Sequence, residues 1–195
     1  MTETKPSLAD KPTLSGELTV LRPVGIADVP GLIEMLKDPE SMRLTGSHVS
    51  PEPDVAFAEN WYATRSDHDD RLDLAIIERA SGRYVGEVVL NELDTDNCSC
   101  SFRICLVGPR AFGRGFGTEA TRLILTHAFE TAGVNRVELE VYAFNPRARH
   151  VYEKAGFVHE GTKRQALRWD GEWVDAHMMA ALADDRARAE GRNAA

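Results

Sequence analysis

The chain has 195 residues, of which 43% are hydrophobic and 28% charged, and these values fit one well-packed globular domain. Its formal net charge of −8 argues against a general nucleic-acid binder, which carries a basic surface; the charge suits a cationic substrate and equally suits simple acidic solubility. No segment approaches the roughly 20 apolar residues of a membrane span and the N-terminus has no apolar signal-peptide run, so we expect a cytoplasmic protein that binds no membrane.

A single domain is expected over residues 14–183. Residues 1–13 are polar, contain two prolines and show no periodicity, which predicts a flexible lead-in. Glu17–Pro23 alternates well enough to predict a first strand. Residues 184–195 are charged and alanine-rich, and we expect a flexible tail or a frayed helix there.

Two short helices are predicted next. Asp28 is a suitable N-cap for a helix that stops near Asp38-Pro39, because the residue before a proline avoids helical geometry. Ser50 as N-cap and Pro51 at the first helical position indicate the start of a second helix, which runs toward Arg65.

An antiparallel meander follows these helices. Three apolar segments predict strands over Leu72–Glu78, Tyr84–Asn91 and Ser99–Val107. Short turn segments at residues 80–83 and 94–97 join them, which is typical of neighbouring antiparallel strands.

The third of these strands leads into a glycine-rich elbow, residues 113–118 (GRGFGT), at the start of a long amphipathic helix. Gly133 is expected to end that helix. Val134–Phe144 then alternates as a strand. A strand, a helix and a strand form a crossover, so the two strands should lie parallel.

The last part of the chain predicts a helix and a hairpin. Asn145-Pro146 supplies an N-cap and a first helical residue, and Gly156 ends the helix. A short strand is expected over Phe157–Glu160. Residues 162–169 and 172–182 then form the arms of a hairpin.

The elbow has the properties of a phosphate-binding turn. Glycine lets the backbone turn sharply and approach a ligand, and the first N–H groups of a helix are partly positive and lack internal partners. Its G-x-G-x-G spacing differs from the G-x-G-x-x-G of dinucleotide folds, and a meander precedes it rather than repeated βαβ units. No G-K-[ST] is present, which excludes a P-loop. From spacing alone, a dinucleotide site and an ordinary strand-to-helix turn stay open.

Cys98, Cys100 and Cys105 lie in or beside one predicted strand. No second cysteine pair or nearby histidine completes a zinc set, so we expect reduced thiols and no bound metal.

Four motifs, in chain order, resemble the GNAT N-acetyltransferases, in particular the branch that contains ribosomal-protein N-terminal acetyltransferases. The elbow, with Arg110 before it, is similar to the family's acetyl-CoA signature. Residues 145–157 resemble the block N-x-x-(A/S)-x-x-x-Y-x-K-x-G-F. The early Leu21-Arg22-Pro23 and the late segment 170–175 (DGEWVD) fit the same branch, and the resemblance covers about residues 17–182.

This resemblance implies an α/β (α+β) GNAT fold: a mixed, mostly antiparallel sheet with helices on both faces and a splayed pair of parallel strands at the CoA site. It implies acetyl-CoA as cosubstrate, with its pyrophosphate at the elbow and its pantetheine arm along the preceding strand. Asn145, also a helix cap, is expected at the pantetheine arm and Lys154 near a CoA phosphate. The cofactor-binding residues so expected are Cys105, Leu106, Val107, Gly113, Arg114, Gly115, Phe116, Gly117, Thr118, Asn145 and Lys154.

Tyr152 is the candidate general acid. Transfer of an acyl group to an amine expels the CoA thiolate, and a tyrosine hydroxyl near the sulfur can protonate it. The family tyrosine at this motif position implies that role. The competing explanation is that Tyr152 simply belongs to the buried stripe of its helix.

The general base stays unassigned. Many family members have a glutamate early in the strand before the elbow, where residues 99–103 (SCSFR) contain no acid. The remaining candidates are Glu87, Glu92, Glu138 and Glu140. An α-amine, with a pKa near 7.7–8.0, would demand less of a base than a lysine-like amine.

We therefore expect a single-domain acyltransferase that moves an acetyl group from acetyl-CoA to a primary amine by direct attack in a ternary complex. The acceptor is a protein N-terminus or a small-molecule amine, and a homodimer is expected from the family alone. A CoA-binding sensor without transfer activity remains an alternative, because the usual acid is missing. A dinucleotide-dependent enzyme is a weaker alternative.

Overall fold

The computed structural model describes residues 5–47 and 52–185, and within these ranges eight strands form one sheet. The strands are β1 (Leu14–Ser15), β2 (Thr19–Pro23), β3 (Leu72–Glu78), β4 (Tyr84–Asp94), β5 (Ser99–Leu106), β6 (Arg136–Tyr142), β7 (Val158–Trp169) and β8 (Glu172–Leu182). The helices are α1 (Val29–Lys37), α2 (Pro39–Thr45), α3 (Val55–Thr64), α4 (Gly108–Ala111), α5 (Phe116–Glu130) and α6 (Pro146–Ala155). The order across the sheet is β1-β2-β3-β4-β5-β6-β8-β7.

One pair of strands, β5 and β6, is parallel and separates along its length. In the described ranges, Ser99 to Ser101 of β5 pair with Arg136 to Glu138 of β6. Both strands then continue without pairing to each other. The other neighbouring strands pair antiparallel. The crossover through α5 enforces the parallel direction. The predicted mixed sheet with a splayed parallel pair is confirmed.

The sheet separates two apolar cores. Successive strand residues point to opposite faces, so Ile76 and Phe102 pack on the side of α5 and α6, whereas Ala75 and Cys105 pack on the side of α1 and α3. Fully burying a side chain such as Ile76 stabilises the fold by about 1.5–3 kcal/mol. The predicted placement of helices on both faces is confirmed.

Residues 5–13, predicted as part of a flexible lead-in, pack against the domain instead. Leu8 is fully buried in the core on the α5 side. The Lys11 ammonium donates hydrogen bonds to the carbonyls of Leu8 (2.5 Å), His68 (2.6 Å) and Arg71 (2.7 Å). Leu8 and Lys11 thus hold the segment against the domain. The sequence did not indicate this, because the segment as a whole is polar.

The start of α3 differs from the prediction. The helix begins at Val55, where the Asp54 carboxylate accepts a hydrogen bond from the Phe57 N–H (3.0 Å). The predicted cap Ser50 and first residue Pro51 lie outside the described residues. Aspartate is as good a cap as serine, so the sequence offered two starts four residues apart.

The Asp38-Pro39 step ends α1 as predicted but also begins α2, a helix that was not predicted. The Asp38 carboxylate accepts the Ser41 N–H (2.7 Å), and proline is favourable at the first helical position. Asp28 precedes α1, yet its carboxylate does not cap the helix. It binds the Arg22 guanidinium through two hydrogen bonds (2.8 and 2.7 Å).

β7 continues through the break predicted near Gly161, where its pairing with β8 is irregular. The predicted short strand and the first hairpin arm are therefore one strand. The turn at Asp170-Gly171 has positive φ at both residues and lies where predicted. No helix in the described ranges combines the length and apolar character that a membrane span requires.

Candidate active site

A cleft of about 1040 Å³ opens where β5 and β6 part. Its walls come from β5, β6, α2 and α6, from the elbow and first turn of α5, and from the end of β4. The predicted site residues that line it are Cys105, Leu106, Gly113, Gly115, Gly117, Thr118, Asn145, Tyr152 and Lys154. The predicted residues Val107, Arg114 and Phe116 are not among its lining residues.

The backbone of β5 presents alternate residues to the gap. The Val107 N–H donates to the Val85 carbonyl of β4 (2.9 Å), so the backbone groups of Val107 and Cys105 are directed to β4. The Phe102, Ile104 and Leu106 backbone groups therefore face β6. Beyond Ser101 no β6 residue pairs with them in the described ranges.

This alternation corrects the predicted contact segment. Of Cys105, Leu106 and Val107, only Leu106 directs its N–H into the gap. Ile104 and Phe102, which were not predicted as contact residues, have the same orientation. Their orientation follows from sheet register, which the sequence does not reveal: the Cys98 carbonyl accepts hydrogen bonds from the Asn135 and Arg136 N–H groups, and Ile104 and Leu106 follow Cys98 at even spacing.

The elbow has two backbone positions that only glycine adopts without strain, and it leads into a helix whose N-terminus has no side-chain cap. Gly113 (φ 71°) and Gly115 (φ 86°) both occupy the left-handed region, which favours glycine. Gly115 is the N-cap of α5 and provides no side-chain acceptor, so the first N–H groups of the helix are available to a ligand. Together with the positive end of the helix dipole, they form a binding place for an anion.

The two larger side chains of the elbow point away from the cleft. The Arg114 guanidinium donates to the Glu78 carboxylate (2.5 Å) and lies over the Phe116 ring (4.7 Å). Phe116 is buried in the core. The positive charge of Arg114, predicted to act at the elbow, is thus engaged with Glu78, and the elbow presents backbone rather than side chains.

Lys154 and Arg147 of α6 provide positive charge at the cleft. The Arg147 guanidinium lies over the Phe112 ring (4.2 Å). Lys154 is exposed and forms no ion pair with any described residue. It is therefore available for an anionic ligand.

Tyr152 of α6 lines the cleft. Its ring packs against Phe102 and Phe157, with centroids 5.8 Å from each, and the residue is 8% exposed. Its hydroxyl has no hydrogen-bond partner among the described residues. Because every fully buried side-chain N or O atom of the described residues does have a partner, this hydroxyl is not fully buried and is open to the cleft. Burial, with the nearby Cys105 thiol, raises the pKa of Tyr152, which keeps the hydroxyl protonated near neutral pH.

Asn145 caps α6, as predicted. Its side-chain oxygen accepts the Ala148 N–H (3.1 Å). The cap uses the amide oxygen, and the amide NH₂ remains as a donor at the cleft wall. The helix-cap role and a ligand-binding role are therefore compatible in one side chain.

The four carboxylates left as candidate bases differ in position. Glu92, Glu138 and Glu140 line the cleft. Glu87 is buried away from it and accepts hydrogen bonds from the Tyr62 hydroxyl (2.8 Å) and Arg103 (3.2 Å). Among the described residues, no group of three or more His, Cys, Asp or Glu side chains is placed to hold a metal ion.

The family of this fold and site follows from one comparison. The family described as "Acetyltransferase (GNAT) domain" matches residues 19–158. The chain belongs to the GNAT acetyltransferases. It is therefore an acetyl-CoA-dependent acyltransferase, and the predicted family membership is confirmed.

Relatives within the GNAT family cover large parts of the chain. A probable N-acetyltransferase of Bacillus subtilis, YjcK, is 30% identical over 124 residues, which are 64% of this chain and 68% of the relative. A spermidine N(1)-acetyltransferase of Vibrio cholerae is 30% identical over 112 residues, 57% of this chain and 64% of the relative. A putative ribosomal N-acetyltransferase of B. subtilis, YdaF, is 32% identical over 90 residues, 46% of this chain and 49% of the relative.

Solved GNAT structures share the fold. The crystal structure of V. cholerae spermidine N-acetyltransferase with CoA and spermine has a TM-score of 0.78 at 22% identity, covering 87% of this chain and 98% of that one. The GNAT assignment decides against the dinucleotide-dependent enzyme that the elbow spacing alone left open. An amine is the acceptor class of the named relatives.

Proposed function

We propose that this protein acetylates a primary amine by direct attack of the amine on acetyl-CoA in a ternary complex, with Tyr152 as general acid. The observation that carries the proposal is the Tyr152 hydroxyl. Tyr152 is 8% exposed and lines the cleft that opens where β5 and β6 part, and its hydroxyl is protonated at neutral pH and has no described protein partner.

The residues of the cleft suit each part of acetyl-CoA. The uncapped N–H groups of Phe116, Gly117 and Thr118 would hold the pyrophosphate, with Lys154 beside a phosphate. The backbone of Ile104 and Leu106 would pair with the amide groups of the pantetheine arm, in place of the strand partner that β6 does not provide there. The Asn145 amide NH₂ would donate to the same arm.

With the cofactor in this position, the amine would attack the thioester directly. A β5 backbone N–H in the gap would donate to the thioester oxygen as negative charge develops on it. The amine forms the new C–N bond, the C–S bond breaks, and the Tyr152 hydroxyl gives its proton to the departing sulfur. The three remaining carboxylates in the cleft favour an active enzyme over a sensor without transfer activity.

The acceptor is proposed as a small cationic amine such as a polyamine, with a peptide N-terminus as the second candidate. The polyamine is favoured by the spermidine acetyltransferase relative, by the net charge of −8, and by Glu92, Glu138 and Glu140 in the cleft. The peptide is favoured by the ribosomal N-acetyltransferase relative.

A thiol-release screen tests the proposal. Wild-type protein with acetyl-CoA is offered spermidine, an aminoglycoside, an L-amino acid and a peptide with a free N-terminus, and free CoA thiol and acetylated product are both measured. We expect release that depends on one amine class. If acetyl-CoA raises the melting temperature while none of these amines releases thiol, the sensor alternative is favoured and the proposed function fails.

A further inference from the structure

Two adjacent residues of β5, Ser101 and Phe102, face opposite sides of the sheet at the point where β5 leaves β6. Phe102 contacts the Tyr152 ring on the α6 side. On the other side the Ser101 hydroxyl donates to the Glu92 carboxylate (2.7 Å). A group that passes through the gap here therefore has Tyr152 on one side and Glu92 on the other.

Glu92 is the least neutralised of the carboxylates in the cleft. Glu138 accepts two hydrogen bonds from Arg136 (3.1 and 3.0 Å), and Glu140 forms an ion pair with Lys163. Within residues 5–47 and 52–185, Glu92 has the Ser101 hydroxyl as its one hydrogen-bond donor and no cation beside it. It therefore keeps free acceptor positions for an approaching ammonium group.

The backbone turns Glu92 toward this place. The β4 register shifts between Asn91 and Asp94, and Glu92 there has a φ of 56°, which non-glycine residues rarely adopt. Asn91 pairs directly with Ser101, and in an unshifted strand the next residue, Glu92, would lie on the opposite face. The bulge re-aims the carboxylate to the cleft side.

We propose that Glu92 is the proton acceptor for the attacking amine. This assignment rests on the proposed function and fills the role for which the strand before the elbow has no acid. The acceptor ammonium gives one proton to the Glu92 carboxylate and becomes nucleophilic. Its nitrogen then bonds to the thioester carbon, the C–S bond breaks, and the sulfur takes the Tyr152 proton. The nitrogen loses its second proton to the tyrosinate through solvent, so that amide, CoA thiol and one released proton balance the reaction.

The other charged side chains that line the cleft with Glu92 come from three strands and from α6, which contributes Arg147, Lys154 and the titratable His150. Arg103 extends from β5, Glu138 and Glu140 from β6, and Lys163 from β7, and all four line the same cleft. Arg103 and Lys163 are each already paired, with Glu87 and Glu140. Among the described carboxylates that line the cleft, Glu92 is therefore the one without a cationic partner.

The test is the pH dependence of Glu92→Gln with spermidine, or with the best acceptor of the screen if spermidine is not turned over. We expect kcat/KM to fall at least 100-fold at pH 7, with an unchanged melting temperature. The deficit should narrow as the pH rises, because the free amine then forms in solution. A purely structural role would lower turnover by the same factor at every pH.

Control variants make the outcome decisive. Glu130→Gln, at the exposed end of α5, should behave as wild type. Ser101→Ala removes the hydrogen bond that holds Glu92 and should cause a smaller, similarly pH-dependent loss, which covers the case that Glu92→Gln does not fold. Wild-type turnover in Glu92→Gln, a pH-independent deficit, or a larger pH-dependent loss in Glu138→Gln would each overturn the assignment and leave the proposed function intact. Absence of transfer by wild type to every amine would instead refute the proposed function.

Discussion

The acidic residue of the elbow motif, Glu119, is predicted to stabilise the fold rather than act in the cleft. Its carboxylate accepts hydrogen bonds from the N–H groups of Glu17 (2.8 Å), Leu18 (3.0 Å) and Thr19 (2.7 Å). The Thr19 hydroxyl donates a fourth (2.6 Å). One carboxylate thus ties the first turn of α5 to the turn between β1 and β2.

Replacing Glu119 with alanine removes the acceptor for these four donors. Thr19 is fully buried, so its N–H and hydroxyl would lose their partner without gaining water, at about 1–3 kcal/mol each. The N–H groups of Glu17 and Leu18 can bind water instead. We expect Glu119→Ala to lose about 3 kcal/mol in free energy of unfolding, or roughly 6–12 °C in melting temperature for a protein of this size.

The effect of Glu119 should depend on pH. Burial alone would raise the pKa of its carboxyl, but the hydrogen bonds from Thr19, Leu18 and Glu17 hold it below its ordinary value. Its contribution is therefore present above the unfolded-state pKa near 4.3 and is lost as the pH falls through the lower folded-state value. The difference between wild type and Glu119→Ala should be constant near neutral pH and shrink below about pH 4.

Urea unfolding at several pH values measures this difference. Glu130→Ala, an exposed glutamate of the same helix, is the matched control and should change stability by less than about 0.5 kcal/mol. The reasoning fails if Glu119→Ala unfolds like Glu130→Ala, or if its deficit stays constant into acid.

Three further variants test single features of the site. Asn145→Ala should lose about 1 kcal/mol of stability with the helix cap and also bind acetyl-CoA more weakly, whereas Asn145→Asp should keep the cap and lose only affinity; unfolding and calorimetry separate the two. Gly115→Ala should destabilise by about 1 kcal/mol or more, because φ is 86° and the added methyl group would meet Leu18, and should raise the acetyl-CoA Kd; an unchanged Kd would argue against the elbow as the pyrophosphate site. Glu92→Gly should relieve a strained φ and unfold at equal or higher urea, by up to about 1 kcal/mol, while transfer is lost; retained transfer would contradict its catalytic assignment.

Local patterns predicted most of the elements of this fold. β3 has the predicted limits, and α6 begins after its Asn145 cap and ends before Gly156 as expected. The parallel pair followed from connectivity alone, since a strand, a helix and a strand cross over in one direction. Local chemistry was less decisive where one residue suits two roles, as Asp38 does in ending α1 and capping α2.

Partners far apart in sequence could not be predicted. Arg114 lies in a phosphate-binding motif, and nothing near it in the chain indicates that Glu78, 36 residues earlier, engages its guanidinium. The four groups that donate hydrogen bonds to Glu119 lie about 100 residues before it. The position of Glu92 likewise depends on a bulge in β4 and on Ser101 of the next strand. These contacts follow from sheet register, which the sequence does not determine at single-residue precision.

The most direct test of the central claim is Tyr152→Phe, assayed for turnover and for acetyl-CoA binding in parallel. Phenylalanine keeps the ring contacts with Phe102 and Phe157 and removes only the hydroxyl. With the best amine of the screen we expect kcat to fall at least 100-fold while the acetyl-CoA Kd and the melting temperature stay unchanged. Turnover equal to that of wild type would show that Tyr152 is a packing residue of α6 and that another group protonates the departing thiolate.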